Sequence, residues 1–153
     1  MEETAKQIED VCLRLLTQRE HSQKELLEKL ALRGFIKEDV QPVVDKLAEN
    51  GWQSDTRYAE SYARSRIMKG YGPVRVAYEL KQNGVEINTL DQIAQTVAGS
   101  WMSLIEQVYD KKYQQDKLLS RSEWAKRSRF LLQRGFSFEM INDLFDQLQI
   151  KFL

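Results

Sequence analysis

The chain has 153 residues, 42% hydrophobic and 30% charged, with 23 basic side chains balanced by 23 acidic ones. This is the composition of an ordered, water-facing protein, not of a disordered or fibrous chain. No apolar run reaches the roughly 20 residues that a membrane helix needs, and one cysteine and one histidine supply neither an internal disulfide nor a cluster of metal ligands.

The acidic, polar opening MEETAKQIED does not read as a signal or transit peptide. Ile8, Val11, Cys12, Leu15 and Leu16 recur at helical spacing and predict a first helix over Glu3–Gln18 with one apolar face. Cys12 lies inside that stripe and reads as a small core residue. His21 precedes the next helix and reads as a solvated loop residue. Ser22-Gln23-Lys24-Glu25 has capping-box chemistry and opens a helix that runs to about Arg33, with Leu26, Leu27 and Leu30 inward and Gly34 as its left-handed cap. A third helix covers Lys37–Asn50, with Pro42 in or just past its first turn.

Ser54 and Asp55 can each cap a fourth helix over Thr56–Lys69. After the turn Gly70-Tyr71-Gly72-Pro73, a fifth helix carries Val74, Ala77 and Leu80 and stops at Gly84. Asn88 caps a sixth. Trp101, Leu104, Ile105, Val108 and Tyr109 form the stripe of a seventh. Lys111–Arg121 follows as a helix end or a mobile loop. Ser120-Arg121-Ser122-Glu123 is a second capping box, ahead of helices over Ser122–Arg134 and Phe138–Gln149. No stretch alternates with period two, so no sheet is expected.

One pattern recurs three times: LALRGFIKEDVQPVVDKL (30–47), LKQNGVEINTLDQIAQTV (80–97) and LLQRGFSFEMINDLFDQL (131–148). Each copy ends a helix on glycine, follows it with an apolar residue and starts another apolar stripe. A shared period near 50 marks an array of one supersecondary unit. The fold class expected is all-α: three tandem three-helix, helix-turn-helix-like repeats over residues 1–51, 52–99 and 100–153, forming an elongated, curved array. Trp52 and Trp101 fall at the junctions and read as junction packing.

No constellation of nucleophile, base or phosphate loop is present, so an enzyme is not expected and neither a cofactor nor a metal is called for. Charge is uneven: residues 1–50 hold eleven acids and eight bases, whereas Lys111–Arg134 hold eight bases and two acids, and Ser61–Tyr78 four bases and no acid. Two basic helices therefore supply the candidate surface for a partner or DNA. Helix four and the turn after it contribute Tyr58, Arg64, Arg66, Lys69 and Arg75, with a Tyr62–Arg66 cation–π pair feasible. Helix eight and its end contribute Lys126, Arg127, Arg129, Phe130 and Arg134. Phe130 between arginines suits an interface anchor, base stacking or the filling of a junction. The first repeat also has the outline of a winged helix-turn-helix. Its second helix, with Glu38, Asp39, Asp45 and Glu49 against Lys37 and Lys46, would be repelled by phosphates.

Several segments together resemble the RecX family of bacterial RecA regulators: Ser22-Gln23-Lys24-Glu25-Leu26, GWQSDTRYAESYARSR from Gly51, Lys69-Gly70-Tyr71-Gly72-Pro73, Glu79-Leu80, Gly84-Val85 and RFLLQRGFS from Arg129. Ser54 departs from the acidic residue frequent there. The resemblance implies a cytoplasmic, non-enzymatic protein of tandem three-helix repeats, and a monomer is expected. Its partner would be the RecA filament on single-stranded DNA, whose ATP hydrolysis, strand exchange and SOS-repressor cleavage it would suppress. Direct contact with single- or double-stranded DNA stays open. A DNA-binding regulator and a generic helical adaptor are the alternatives.

Overall fold

The computed structural model describes residues 2–114 and 116–153; Met1, in the polar opening, and Gln115, in the stretch after the seventh helix, lie outside it. The described residues form nine α-helices: α1 Glu2–Gln18, α2 Gln23–Leu32, α3 Lys37–Glu49, α4 Asp55–Met68, α5 Pro73–Gln82, α6 Leu90–Ala98, α7 Trp101–Lys112, α8 Arg121–Gln133 and α9 Phe138–Gln147. Among the described residues no helix is long and apolar enough to cross a membrane. Packing divides the chain into two compact units. One is the chain through Tyr62 with Leu80–Ile87, the other Ala63–Glu79 with Asn88–Leu153. The division runs through α4 and α5 and falls again between Ile87 and Asn88, ahead of α6.

The recurring glycine turns share one geometry. After α2, the Gly34 N–H donates to Ala31 O and the Phe35 N–H to Leu30 O; the same pair of bonds closes α5 at Gly84-Val85 and α8 at Gly135-Phe136. This Schellman pattern needs a left-handed residue at the glycine, and Gly34, Gly84 and Gly135 have φ of +94°, +80° and +100°.

In the first unit, Ile8, Cys12, Leu15, Leu26, Leu30, Val40, Val44 and Leu47 make a core among α1, α2 and α3. Burial raises the Cys12 thiol to about 11, with Glu9 adding to the effect, so it stays protonated packing. The Ser22–Glu25 capping box is formed. Of the two candidate caps of α4, Asp55 serves α2 instead: its Oδ1 accepts the Gln23 N–H at 2.9 Å and the Gln53 side-chain amide at 2.8 Å. Ser54 takes the α4 cap, its hydroxyl accepting the Arg57 N–H.

His21 is buried, not solvated. Its Nδ1 lies 3.0 Å from Arg19 O and its Nε2 3.0 Å from Lys29 Nζ, partners close in space that a lone histidine in a polar stretch does not announce. Trp52 corrects its expectation in the opposite sense. It is 61% exposed, because the bond from its N–H to Leu47 O closes the Gly51 turn and leaves the indole beside Pro42 and Val43 at the edge of a groove.

In the second unit, α7, α8 and α9 pack around Leu104, Ile105, Tyr109, Leu131, Ile141, Leu144 and Phe145. Phe145 meets Tyr109 and Trp124 edge to face. Two glycine turns touch backbone to backbone: the Gly72 N–H donates to Arg134 O and the Val74 N–H to Gly135 O. This contact sets the roll of α5. Val76 and Leu80 are buried, whereas Val74 and Ala77, expected inside, are exposed.

Three further departures are local. α6 begins after Thr89, not Asn88. At α8 the Ser120 hydroxyl caps as expected, while the Glu123 carboxylate is engaged by Arg127. Leu118–Leu119 (β1) and Lys151–Phe152 (β2) form a two-residue parallel pairing, too short for a period-two signal.

Candidate partner interface

Nine of the ten candidate residues sort into three groups, and the tenth, Phe130, lines a cleft beside the third. Arg64, Lys69, Lys126 and Arg129 are exposed, and none takes part in an ion pair among the described residues. Their charges face water and are available to a partner.

Tyr58 and Arg127 are not surface residues, which corrects the expectation for both. Tyr58 is 2% exposed. Its hydroxyl accepts from Asn83 Nδ2 at 2.8 Å, its ring lies 5.7 Å from Tyr62, and burial pushes the phenol up to about 12. Arg127 is 5% exposed. Its Nη1 donates to Tyr109 Oη (2.8 Å) and Gln114 O (3.2 Å), Nη2 to Asp116 Oδ2 (3.3 Å), and Nε to Glu123 Oε1 (2.9 Å). Burial works against its charge, but the Tyr109 and Glu123 bonds outweigh that and raise its pKa. The sequence placed Tyr58 with the cations of the fourth helix and Arg127 beside Phe130; it could not show that Asn83 and Tyr109 would supply buried partners.

The third group is drawn together around Tyr71, a residue not singled out from the sequence. Arg66, Arg75 and Arg134 stand 3.8, 4.5 and 4.8 Å from its ring centroid. Glu79 holds two of them, taking Arg66 bidentately at 2.9 and 3.0 Å and Arg75 Nε at 3.2 Å. Arg75 also donates to Gln133 O, and Arg134 to Lys69 O. The arginines are thus partly spent on tying the end of α4 and the start of α5 to the α8 turn. Arg66 sits over the ring of Tyr71, five residues further along the chain.

Next to this hub lies a cleft of about 300 Å³. It is lined by Met68, Lys69 and Gly70 at the end of α4, by Leu104, Gln107, Val108, Lys111 and Lys112 on α7, and by Phe130 and Arg134 at the end of α8. Four cations and no carboxylate line it. The Lys112 ammonium stands 4.3 Å from the Phe130 ring centroid, and Tyr113 meets that ring edge-on at 5.7 Å. Lys111 and Lys112 were legible only as part of a basic stretch; their convergence with Lys69 is a product of folding. Among the described residues no group of three or more His, Cys, Asp or Glu side chains is placed to hold a metal.

Fold and surface together define an all-α protein of repeated three-helix domains. Family models for the first, second and third three-helix domains of RecX match residues 10–47, 54–92 and 102–145. The chain is 37% identical over 144 residues to "Regulatory protein RecX" of Legionella pneumophila (strain Corby), covering 94% of this chain and 96% of that one. It is 40% identical over 130 residues to the protein of that name from Pseudomonas entomophila (strain L48), covering 85% and 84%. The chain belongs to the RecX family. Its fold matches the crystal structure of RecX from Lactobacillus salivarius with a TM-score of 0.77 at 20% identity, over 99% of this chain and 100% of that one. A second crystal structure, of regulatory protein RecX, matches with a TM-score of 0.74 at 22% identity, over 94% and 72%.

Proposed function

We propose that this RecX-family protein is a modulator, mainly an inhibitor, of the recombinase RecA. It binds the filament that RecA forms on single-stranded DNA and suppresses ATP hydrolysis, strand exchange and SOS-repressor cleavage. The observation that carries this reading is the match of all three RecX domains, in order, along the chain. The surface supports it: exposed Arg64, Lys69, Lys126 and Arg129 suit an acidic or phosphate-bearing assembly, and a protein that acts by binding needs no reacting group. Binding that spans neighbouring subunits would hinder the exchange on which growth and turnover depend. We also infer repeat boundaries at 1–51, 52–99 and 100–153, each repeat enclosing one matched domain.

The test is single-stranded-DNA-dependent ATP hydrolysis by the cognate recombinase, with this protein titrated well below one copy per recombinase monomer and DNA in excess. Strong loss of hydrolysis at that ratio is expected. Loss only near saturation of the DNA would replace this reading with direct DNA binding. No effect from a folded sample would leave a helical adaptor for another partner.

A further inference from the structure

The ends of α4, α7 and α8 meet at the cleft beside Phe130, and the chemistry there is mixed. Helix C-termini attract cations on their own account, which explains Lys69 at the end of α4, Lys111 and Lys112 at the end of α7 and Arg134 at the end of α8. It does not explain an apolar floor of Leu104, Val108 and Phe130 left open between them, or Met68 standing 72% exposed at its rim. A flexible, polarizable methionine at the mouth of a pocket adapts to an inserted side chain. Four cations without a carboxylate select a ligand rich in negative charge.

Two classes of polyanion meet the charge requirement, and the walls discriminate between them. Single-stranded nucleic acid binds through free aromatic faces on which bases stack. The one ring lining this cleft is already engaged, with Lys112 over its face and Tyr113 against it. What remains is aliphatic and of side-chain size. We propose that the cleft receives a short acidic segment of a protein partner, with an apolar side chain inserted between Met68, Val108 and Phe130 and flanking carboxylates held by Lys69, Lys111 and Lys112. This deepens the recombinase reading by naming the kind of partner segment the surface takes, and it stands or falls separately.

Fluorescence anisotropy tests it with the full-length protein. The probe is a short fluorescein-labelled peptide with a central phenylalanine flanked by aspartates. The controls are the same peptide with serine at the centre and a labelled oligothymidine of similar charge. The variants are Lys111→Glu/Lys112→Glu and Met68→Asp, all at exposed helix-end positions; circular dichroism and thermal melting check their folding. The phenylalanine peptide is expected to bind wild type and to lose about tenfold or more in affinity on exchange of its phenylalanine and with each variant. Equal binding of the serine peptide would reduce the cleft to unspecific charge attraction. Oligothymidine bound as tightly, and weakened by the same variants, would make it a nucleic-acid site. Absence of peptide binding would also overturn the proposal. Wild-type ATPase inhibition measured alongside separates the two readings. Inhibition without peptide binding sinks only the cleft, and peptide binding without inhibition sinks only the recombinase role.

Discussion

A guanidinium below the surface, as at Arg127, is stable only while its donors are taken. Its acceptors come from two helices and the loop between them: Tyr109 on α7, the Gln114 carbonyl and Asp116 in the loop, and Glu123 on α8. Arg127→Met keeps the packing of the stem and strips the Tyr109 hydroxyl of its donor. We expect a loss of about 2–3 kcal/mol, read as a fall in melting temperature of about 2–4 °C per kcal/mol. Lys126→Met, one residue away and exposed, should stay within about 0.5 kcal/mol of wild type; equal shifts would refute the structural assignment of Arg127. His21 predicts a pH dependence. Burial is the main cause that lowers its pKa below the ordinary 6.5, with Arg19 and Lys29 adding repulsion. The unfolded chain therefore takes up the proton first, so the histidine's contribution is full above 6.5 and is lost as pH falls through the lower folded value. Burial alone would raise Glu25, but bonds from Arg19 and the Ser22 N–H prevail and hold it below 4.5. Its loss therefore comes at lower pH. The urea midpoint should decline just below pH 6.5 in wild type and not in His21→Gln; a decline of the same size in both would show that other groups are responsible.

The helices were legible because their signals are local. Periodic apolar residues, a serine cap and a glycine stop all act within a turn or two, so the nine helices emerge within a residue or two of their expected ends. What was hidden is what one element does for another. Asp55 reads, alongside Ser54, as a candidate cap of its own helix, yet its carboxylate closes the N-terminus of α2 from 32 residues away. Asp55→Ala leaves the Gln23 N–H and the Gln53 amide short of an acceptor. It should cost about 1–2 kcal/mol, seen in the urea midpoint; a cost no larger than that of an exposed substitution on α4 would deny the contact any weight. The glycine turns separate local from non-local demands in the same way. Gly34 and Gly135 both have positive φ, which penalises any side chain. A Cβ at Gly34 would meet nothing within 4 Å, whereas one at Gly135 would lie 2.3 Å from Arg75 Cβ. Gly34→Ala should cost about 1 kcal/mol. Gly135→Ala should cost distinctly more, because α5 must move off the α8 turn; equal melting temperatures for the two variants would contradict that close approach.

Across the whole molecule the net charge is zero, so any attraction to a polyanionic assembly must come from where the charges are placed. The sequence marked the two basic stretches and the repeated domains, and both are features of order along the chain. It could not separate cations that point to water from those consumed inside, because Arg127 and Arg129 look alike until Tyr109 and Asp116 are brought beside one of them. That distinction decides how the proposed interface is to be tested. Reversing Arg127 with its neighbours would unfold part of the protein and lower activity for the wrong reason. Lys126→Glu/Arg129→Glu alters the exposed face of α8 alone and should leave the melting temperature close to wild type. If that face meets the filament through charge, inhibition of single-stranded-DNA-dependent ATP hydrolysis should weaken as salt rises, since exposed charges are screened over about 10 Å at 0.1 M. The double variant should need several-fold more protein at low salt and show a shallower salt dependence, because two of the screened contacts are already gone. Wild-type potency of the folded variant at both low and high salt would exclude the outer face of α8 from the interface and leave Arg64, Lys69 and the cleft at the end of α7 as the surface to pursue.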